Sequence, residues 1–116
     1  MIDKFGVILT VVSDMSQSVA FYRDVLGMQP TYETPHWSQF DVGGVALGLH
    51  PVSGDLKVNS EVGVRICFYT DDIEGTLAEI TSKGAVVLKK EDQGYGILSE
   101  IEDPDGYRIQ ICQLKR

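Results

Sequence analysis

Asp41-Val42-Gly43-Gly44-Val45-Ala46-Leu47 and Asp103-Pro104-Asp105-Gly106-Tyr107-Arg108-Ile109 share one plan: an acidic residue, a tight turn and the start of an apolar strand. Gly43-Gly44 supplies the positive φ angles of a two-residue hairpin. Asp-Pro-Asp-Gly is a turn by the separate preferences of its residues. The two stretches lie 62 residues apart, and upstream Val12-Ser13-Asp14-Met15 lies over Thr70-Asp71-Asp72-Ile73 at a spacing of 58. The difference falls in loops, so the chain reads as two copies of one unit.

Each copy reads as strand, helix and three strands. Gly6 to Val12 is a strand by its apolar, β-branched content. Asp14 and Ser16 are candidate caps for a helix from Ser16 to Leu26, with Val19, Tyr22 and Leu26 on one face and Gly27 at its end. Strands follow at Pro30 to Glu33, Trp37 to Val42 and Val45 to His50. In the second copy, Gly63 to Thr70 is a strand, and Asp71 with Glu74 suggests a capping box. Ile73, Leu77 and Ile80 line the next helix, which Gly84 ends. Val86 to Lys89, Gly96 to Ile101 and Tyr107 to Gln113 complete the order. The expected organisation is module one at 1–51, a linker at 52–61 and module two at 62–116. The fold class is α+β: two tandem βαβββ modules forming an open, cup-shaped mixed β-sheet with helices on its outer face.

Composition narrows the function. The chain has 116 residues, 43% of them apolar, which suits a packed core. A net charge of −7 argues against a nucleic-acid partner, which needs a basic face. The opening apolar run is too short to span a membrane and has no basic region or cleavage site before it. Cys67 and Cys112 form neither a disulfide framework nor a zinc spacing, so a cytoplasmic location is expected.

Val12-x-Asp14, Ser18-x-x-Phe21-Tyr22-Arg23-Asp24-Val25-Leu26-Gly27-Met28, Gly43-Gly44 and Glu102-Asp103-Pro104-Asp105-Gly106-Tyr107 resemble the vicinal oxygen chelate superfamily of glyoxalases, bleomycin resistance proteins and extradiol dioxygenases. The resemblance runs over nearly the whole chain. It implies a fold that hosts isomerases, dioxygenases, lyases, thiol transferases and drug binders. It also implies that metal-using members take His, Glu or Gln ligands from the first and last strands of each module. The matching positions here are Val7, Gly48, Arg65 and Gln110. Valine and glycine offer no donor atom, and arginine carries only protons. One amide does not hold a divalent cation by itself. No metal or other cofactor is expected.

Strand alternation then assigns faces. Val7 brings Leu9 to the inner face, Gly48 brings Ala46 and His50, Arg65 brings Cys67 and Tyr69, and Gln110 brings Arg108 and Cys112. The other face carries Ile8, Leu47, Leu49, Ile66, Phe68, Ile109 and Ile111, as a helix-covered face should. Counting out from Gly43-Gly44 pairs Val42 with Val45, Gln39 with Gly48 and Trp37 with His50, so Trp37 and Gln39 also face in. Either Ser99 or Glu100 faces in, depending on how the Asp103-to-Gly106 turn closes. Gly48 is expected to leave room at the floor.

The candidate ligand-binding set is therefore Val7, Leu9, Trp37, Gln39, Gly48, His50, Arg65, Cys67, Tyr69 and Gln110, an apolar concavity with a few converging polar groups. His50 is the candidate catalytic base. Each has a plainer reading. Arg65 suits an ion pair, Trp37 an interface, His50 a strand rim, and the cysteines a core. Tyr95, between two glycines, suggests a loop that acts as a lid. The expected function is a metal-independent binder of a small organic molecule, acting as a homodimer. The alternative is a lyase- or isomerase-type enzyme, either metal-independent, with His50 as the base and Arg65 and Gln110 stabilising an enolate-type oxygen, or using a non-standard metal site.

Overall fold

The computed structural model describes residues 1–61 and 64–115. The chain divides into two compact units, Met1–Asn59 and Ser60–Arg116. Unit one contains β1 (Val7–Val12), α1 (Met15–Ala20) continuing into a wider π-type turn (Phe21–Val25), β2 (Gln29–Glu33), β3 (Ser38–Val42) and β4 (Val45–Pro51). Unit two contains β5 (Ile66–Tyr69), α2 (Ile73–Ser82), β6 (Val87–Asp92), β7 (Gly96–Glu102) and β8 (Arg108–Leu114). Each is a βαβββ module, as the sequence repeat predicts. No helix among the described residues is long and apolar enough to cross a membrane.

The two sheets have one topology. Their strand orders are β1-β4-β3-β2 and β5-β8-β7-β6. The first pair in each is parallel and the others antiparallel. Leu9 sits opposite Gly48, and Cys67 opposite Gln110. Each module also carries an irregularity at the matching place, between Pro30 and Tyr32 and between Val87 and Lys89. An extra residue in one strand of a pair flips the parity of the residues beyond it.

The helix-covered face holds each core. Phe40, Leu47 and Leu49 are buried in module one, and Ile101, Ile109 and Ile111 in module two. Tyr22 from the π-type turn packs on Phe40 with ring centroids 6.1 Å apart. Ser38 and Ser99, fully buried at matching positions, donate to the carbonyls of Thr34 (3.2 Å) and Ile111 (2.8 Å). Their hydroxyls are thus satisfied, as buried polar groups must be.

Several expectations need correction. The first helix does not run regularly to Leu26, because it widens at Phe21. The cap of α2 is Asp72, whose side chain accepts the N–H of Gly75 at 3.0 Å; Asp71 is not the cap. Glu74 closes no box and pairs instead with Lys90 on β6. β5 begins at Ile66, so Arg65 precedes the strand, and Trp37 likewise precedes β3. Gly63, the predicted start of that strand, lies outside the described residues. The Tyr95 turn is pinned, since Lys115 N–H donates to its carbonyl at 2.9 Å. The Gly94 N–H and Lys115 also bind Asp92 there and hold its carboxyl below the usual range.

The burial pattern sets an expected ranking of stability effects. Phe40→Ala should cost about 3–5 kcal/mol, from lost burial plus a cavity. Tyr32→Ala, at a side chain 60% exposed, should stay within about 0.5 kcal/mol. Urea unfolding of both variants checks the ranking.

Candidate functional site

Module one's open face is built around a missing side chain. Gly48 lies in the middle of β4 and is buried. A Cβ placed there would meet Trp37 Cη2 at 2.2 Å, Trp37 Cζ2 at 2.6 Å and Val7 Cγ2 at 3.0 Å. The space at Gly48 is therefore filled by the indole of Trp37, and the expected vacancy is absent. The ring is held by the strand that follows it: Trp37 Nε1 donates to Gln39 Oε1 on β3 at 3.1 Å. Its turn is knotted by Thr34, whose hydroxyl accepts the Trp37 N–H at 3.0 Å and donates to the Trp37 carbonyl at 2.8 Å.

His50 stands beside this unit. Its ring lies edge-on to Trp37, with centroids 6.4 Å apart. His50 Nδ1 is 2.7 Å from the carbonyl oxygen of Pro51, which only accepts, so Nδ1 carries the proton. In the neutral ring Nε2 is then an acceptor. Val7 and Leu9 flank the site, each 42% exposed. One residue escapes the alternation rule. Tyr32 sits opposite Gln39, because the irregularity after Pro30 turns it to the open face. Only the extra residue in β2 reveals this, and no local sequence signal marks it.

Module two presents different chemistry on the equivalent face. Glu100 pairs with Gln110 and Ser99 with Ile111, so Glu100 shares the open face and Ser99 the core. Arg108 bridges Glu100 at 3.0 Å and Glu102 at 3.2 Å. Lys89 and Glu91 add a further pair. Arg65 is exposed and, with Arg108, Glu61 and Glu102, lines a polar concavity of about 450 Å³. Tyr69 is 72% exposed. The cysteines sit on neighbouring strands two residues apart in register, with Cys67 opposite Gln110 and Cys112 opposite Tyr69. Cys67 is exposed at the residue level while Cys112 is buried. Loss of water around its sulfur, and next the nearby Cys112, push the Cys67 thiol above its ordinary value.

A concavity of about 410 Å³ also lies beside α1, lined by Asp14, Val19, Arg23 and Glu33 among others. None of the site residues predicted from sequence lines it. Arg23 there is forked between Asp24 and Glu33.

The positions at which the family resemblance implies metal ligands do not suit a cation here. Val7 and Gly48 have no donor atom, and Arg65 has only protons to offer. A carboxylate or imidazole at position 48 would collide with the Trp37 ring. Among the described residues, no three His, Cys, Asp or Glu side chains gather to hold an ion.

Comparison with known proteins agrees with this architecture. The family model for the Glyoxalase/Bleomycin resistance protein/Dioxygenase superfamily matches residues 4–111. The chain is similar to a probable lactoylglutathione lyase of Synechocystis sp., with 27% identity over 116 residues and 88% of each chain covered. It is similar to the phenazine antibiotic resistance protein EhpR of Enterobacter agglomerans, with 29% identity, 91% of this chain and 88% of that one. Among solved structures it resembles TnmS3, an antibiotic binding protein from Streptomyces sp. CB03234, with a TM-score of 0.81, 22% identity and 98% of each chain covered. At that identity the likeness speaks for the fold alone.

The seating of the indole and the contrast between the cysteines each predict an outcome. Gly48→Ala should push the indole out, shift tryptophan emission and cost about 1–3 kcal/mol by overpacking. Unchanged emission would place the ring elsewhere. Native protein should react with a thiol reagent at Cys67 only, and unfolded protein at both cysteines. Because its pKa is raised, more of Cys67 stays as thiol at any given pH, and only the thiolate attacks. Its labelling rate should therefore reach half-maximum at a higher pH than that of a free cysteine, which a rate–pH profile measures.

Proposed function

This chain belongs to the glyoxalase/bleomycin resistance protein/dioxygenase superfamily, and we propose that it binds a small planar organic molecule on the open face of module one without a metal ion. One observation carries this reading: the indole of Trp37 occupies the place above Gly48 that a metal ligand would need. An aromatic face flanked by Val7, Leu9, Gln39 and His50 is suited to stacking and hydrogen bonding, which require no cation. The likeness to an antibiotic resistance protein supports a role in sequestering such a molecule. The acidic chain, with its free cysteines, suits a reducing cytoplasm. Two copies would pair, since exposed apolar side chains such as Tyr69 leave surface for a second chain to cover.

A second reading has its own support. His50 Nε2 is set up as an acceptor, which is the equipment of a general base, and a probable lactoylglutathione lyase is among the similar proteins. With no metal, the developing oxyanion would depend on the Gln39 amide of the same face, a sparse arrangement for that chemistry.

The chain has one tryptophan, so its fluorescence reports this face alone. Titration with phenazine or anthraquinone should quench the emission saturably and equally with or without a chelator. By calorimetry, Trp37→Ala should weaken binding about tenfold, the usual scale for a lost stacking platform. A stoichiometric divalent ion whose removal abolishes binding would overturn the reading. Turnover of a bound compound that His50→Ala abolishes would favour the enzyme.

A further inference from the structure

We propose that Gln39 and His50 give this face a fixed hydrogen-bond polarity, so that its ligands are planar conjugated molecules carrying both an acceptor, such as a carbonyl, and a donor, such as an N–H. The inference rests on the reading of the face as a small-molecule site. It adds which chemistry the site selects.

An indole nitrogen only donates. Its 3.1 Å contact therefore sets which way round the Gln39 amide stands, with Oε1 toward Trp37 and Nε2 away from it. That nitrogen keeps two N–H groups, and no partner for them occurs among the described residues. Gln39 sits opposite Gly48, so it stands on the same face as the ring. It thus offers donors to whatever lies against the indole.

His50 is fixed the opposite way. The Pro51 carbonyl takes the Nδ1 proton at 2.7 Å, which leaves Nε2 of the neutral ring as a bare acceptor. No partner for Nε2 occurs among the described residues. Trp37 joins the two groups, bonded to Gln39 through its N–H and edge-on to His50. Both polarities are set by contacts within module one, that of His50 in the neutral form of its ring. A site prepared in this way rejects an analogue that lacks the matching group, because a buried donor or acceptor is left unpaired.

The test uses the full chain and three neutral probes: anthraquinone, 2-aminoanthraquinone and 2-(dimethylamino)anthraquinone. Each has ring carbonyls, but only the second carries an N–H donor. Quenching of Trp37 should show the amino compound binding at least tenfold more tightly than its dimethylated form. His50→Phe should erase that preference. Gln39→Glu keeps an oxygen for the Trp37 N–H but replaces the donor with an acceptor. It should weaken all three probes at least tenfold, with unliganded emission and melting temperature unchanged. Equal affinities for the three probes on the native chain, or Gln39→Glu binding as the native chain does, would overturn the proposal while leaving the binding face intact. No saturable quenching by any probe would overturn the proposal and the underlying reading together.

Discussion

A side chain at position 48 and the ring of Trp37 cannot occupy the same space, since a Cβ there would lie 2.2 Å from the indole. The character of module one's open face depends on that exclusion. A glycine inside a strand is unfavourable by itself, because it adds backbone entropy to be lost and packs nothing. Here the lost packing is supplied from the turn before the neighbouring strand, by a large ring seated on the bare backbone. The seat in turn fixes Gln39 through the indole N–H and sets the ring beside His50. One absent side chain thus positions an aromatic surface and two polar groups around it.

The modules share a backbone plan and have diverged in what they present. Topology, register, the irregularities in β2 and β6, and the buried serines at 38 and 99 all match between them. Such features are set by main-chain hydrogen bonding and by the core, so a change there is costly. The open faces are free of that constraint. Where module one shows Val7, Leu9, Tyr32 and Trp37, module two shows Arg108 bridged to Glu100 and Glu102, and Lys89 paired with Glu91. Gly48 of one matches Gln110 of the other, each opposite the first strand of its sheet. A duplicated frame of this kind keeps its fold while its two surfaces take up different chemistry.

The fold is legible in the sequence where the physics is local. Gly43-Gly44 has one economical turn, and it yields the pairing of Gln39 with Gly48 by counting. Alternation then separates Leu47 and Leu49 from Ala46 and Gly48. The illegible parts depend on contacts between segments. Asp71 and Asp72 are both plausible caps. The choice falls on Asp72, where the absence of a side chain at Gly75 leaves room, since a Cβ there would lie 2.2 Å from its carboxylate. Alternation does not direct the Trp37 ring, because the residue precedes β3. Thr34 knots its turn and the seat at Gly48 receives it. Tyr32 reaches the open face only through an extra residue that no residue type announces. Donor chemistry alone reads the metal positions as poor ligands, but only the folded chain shows a ring standing in one of them.

The most direct measurement is the indole N–H resonance of Trp37 in ¹⁵N-labelled protein, which is a single peak because the chain has one tryptophan. It should be protected from exchange in the native chain and lose that protection in Gly48→Ala. With a chelator present throughout, a planar aromatic ligand should move it saturably, together with the amides of β3 and β4. A peak that stays fixed while the ligand shifts only module-two amides would contradict the assignment of the binding face to Trp37 and Gly48.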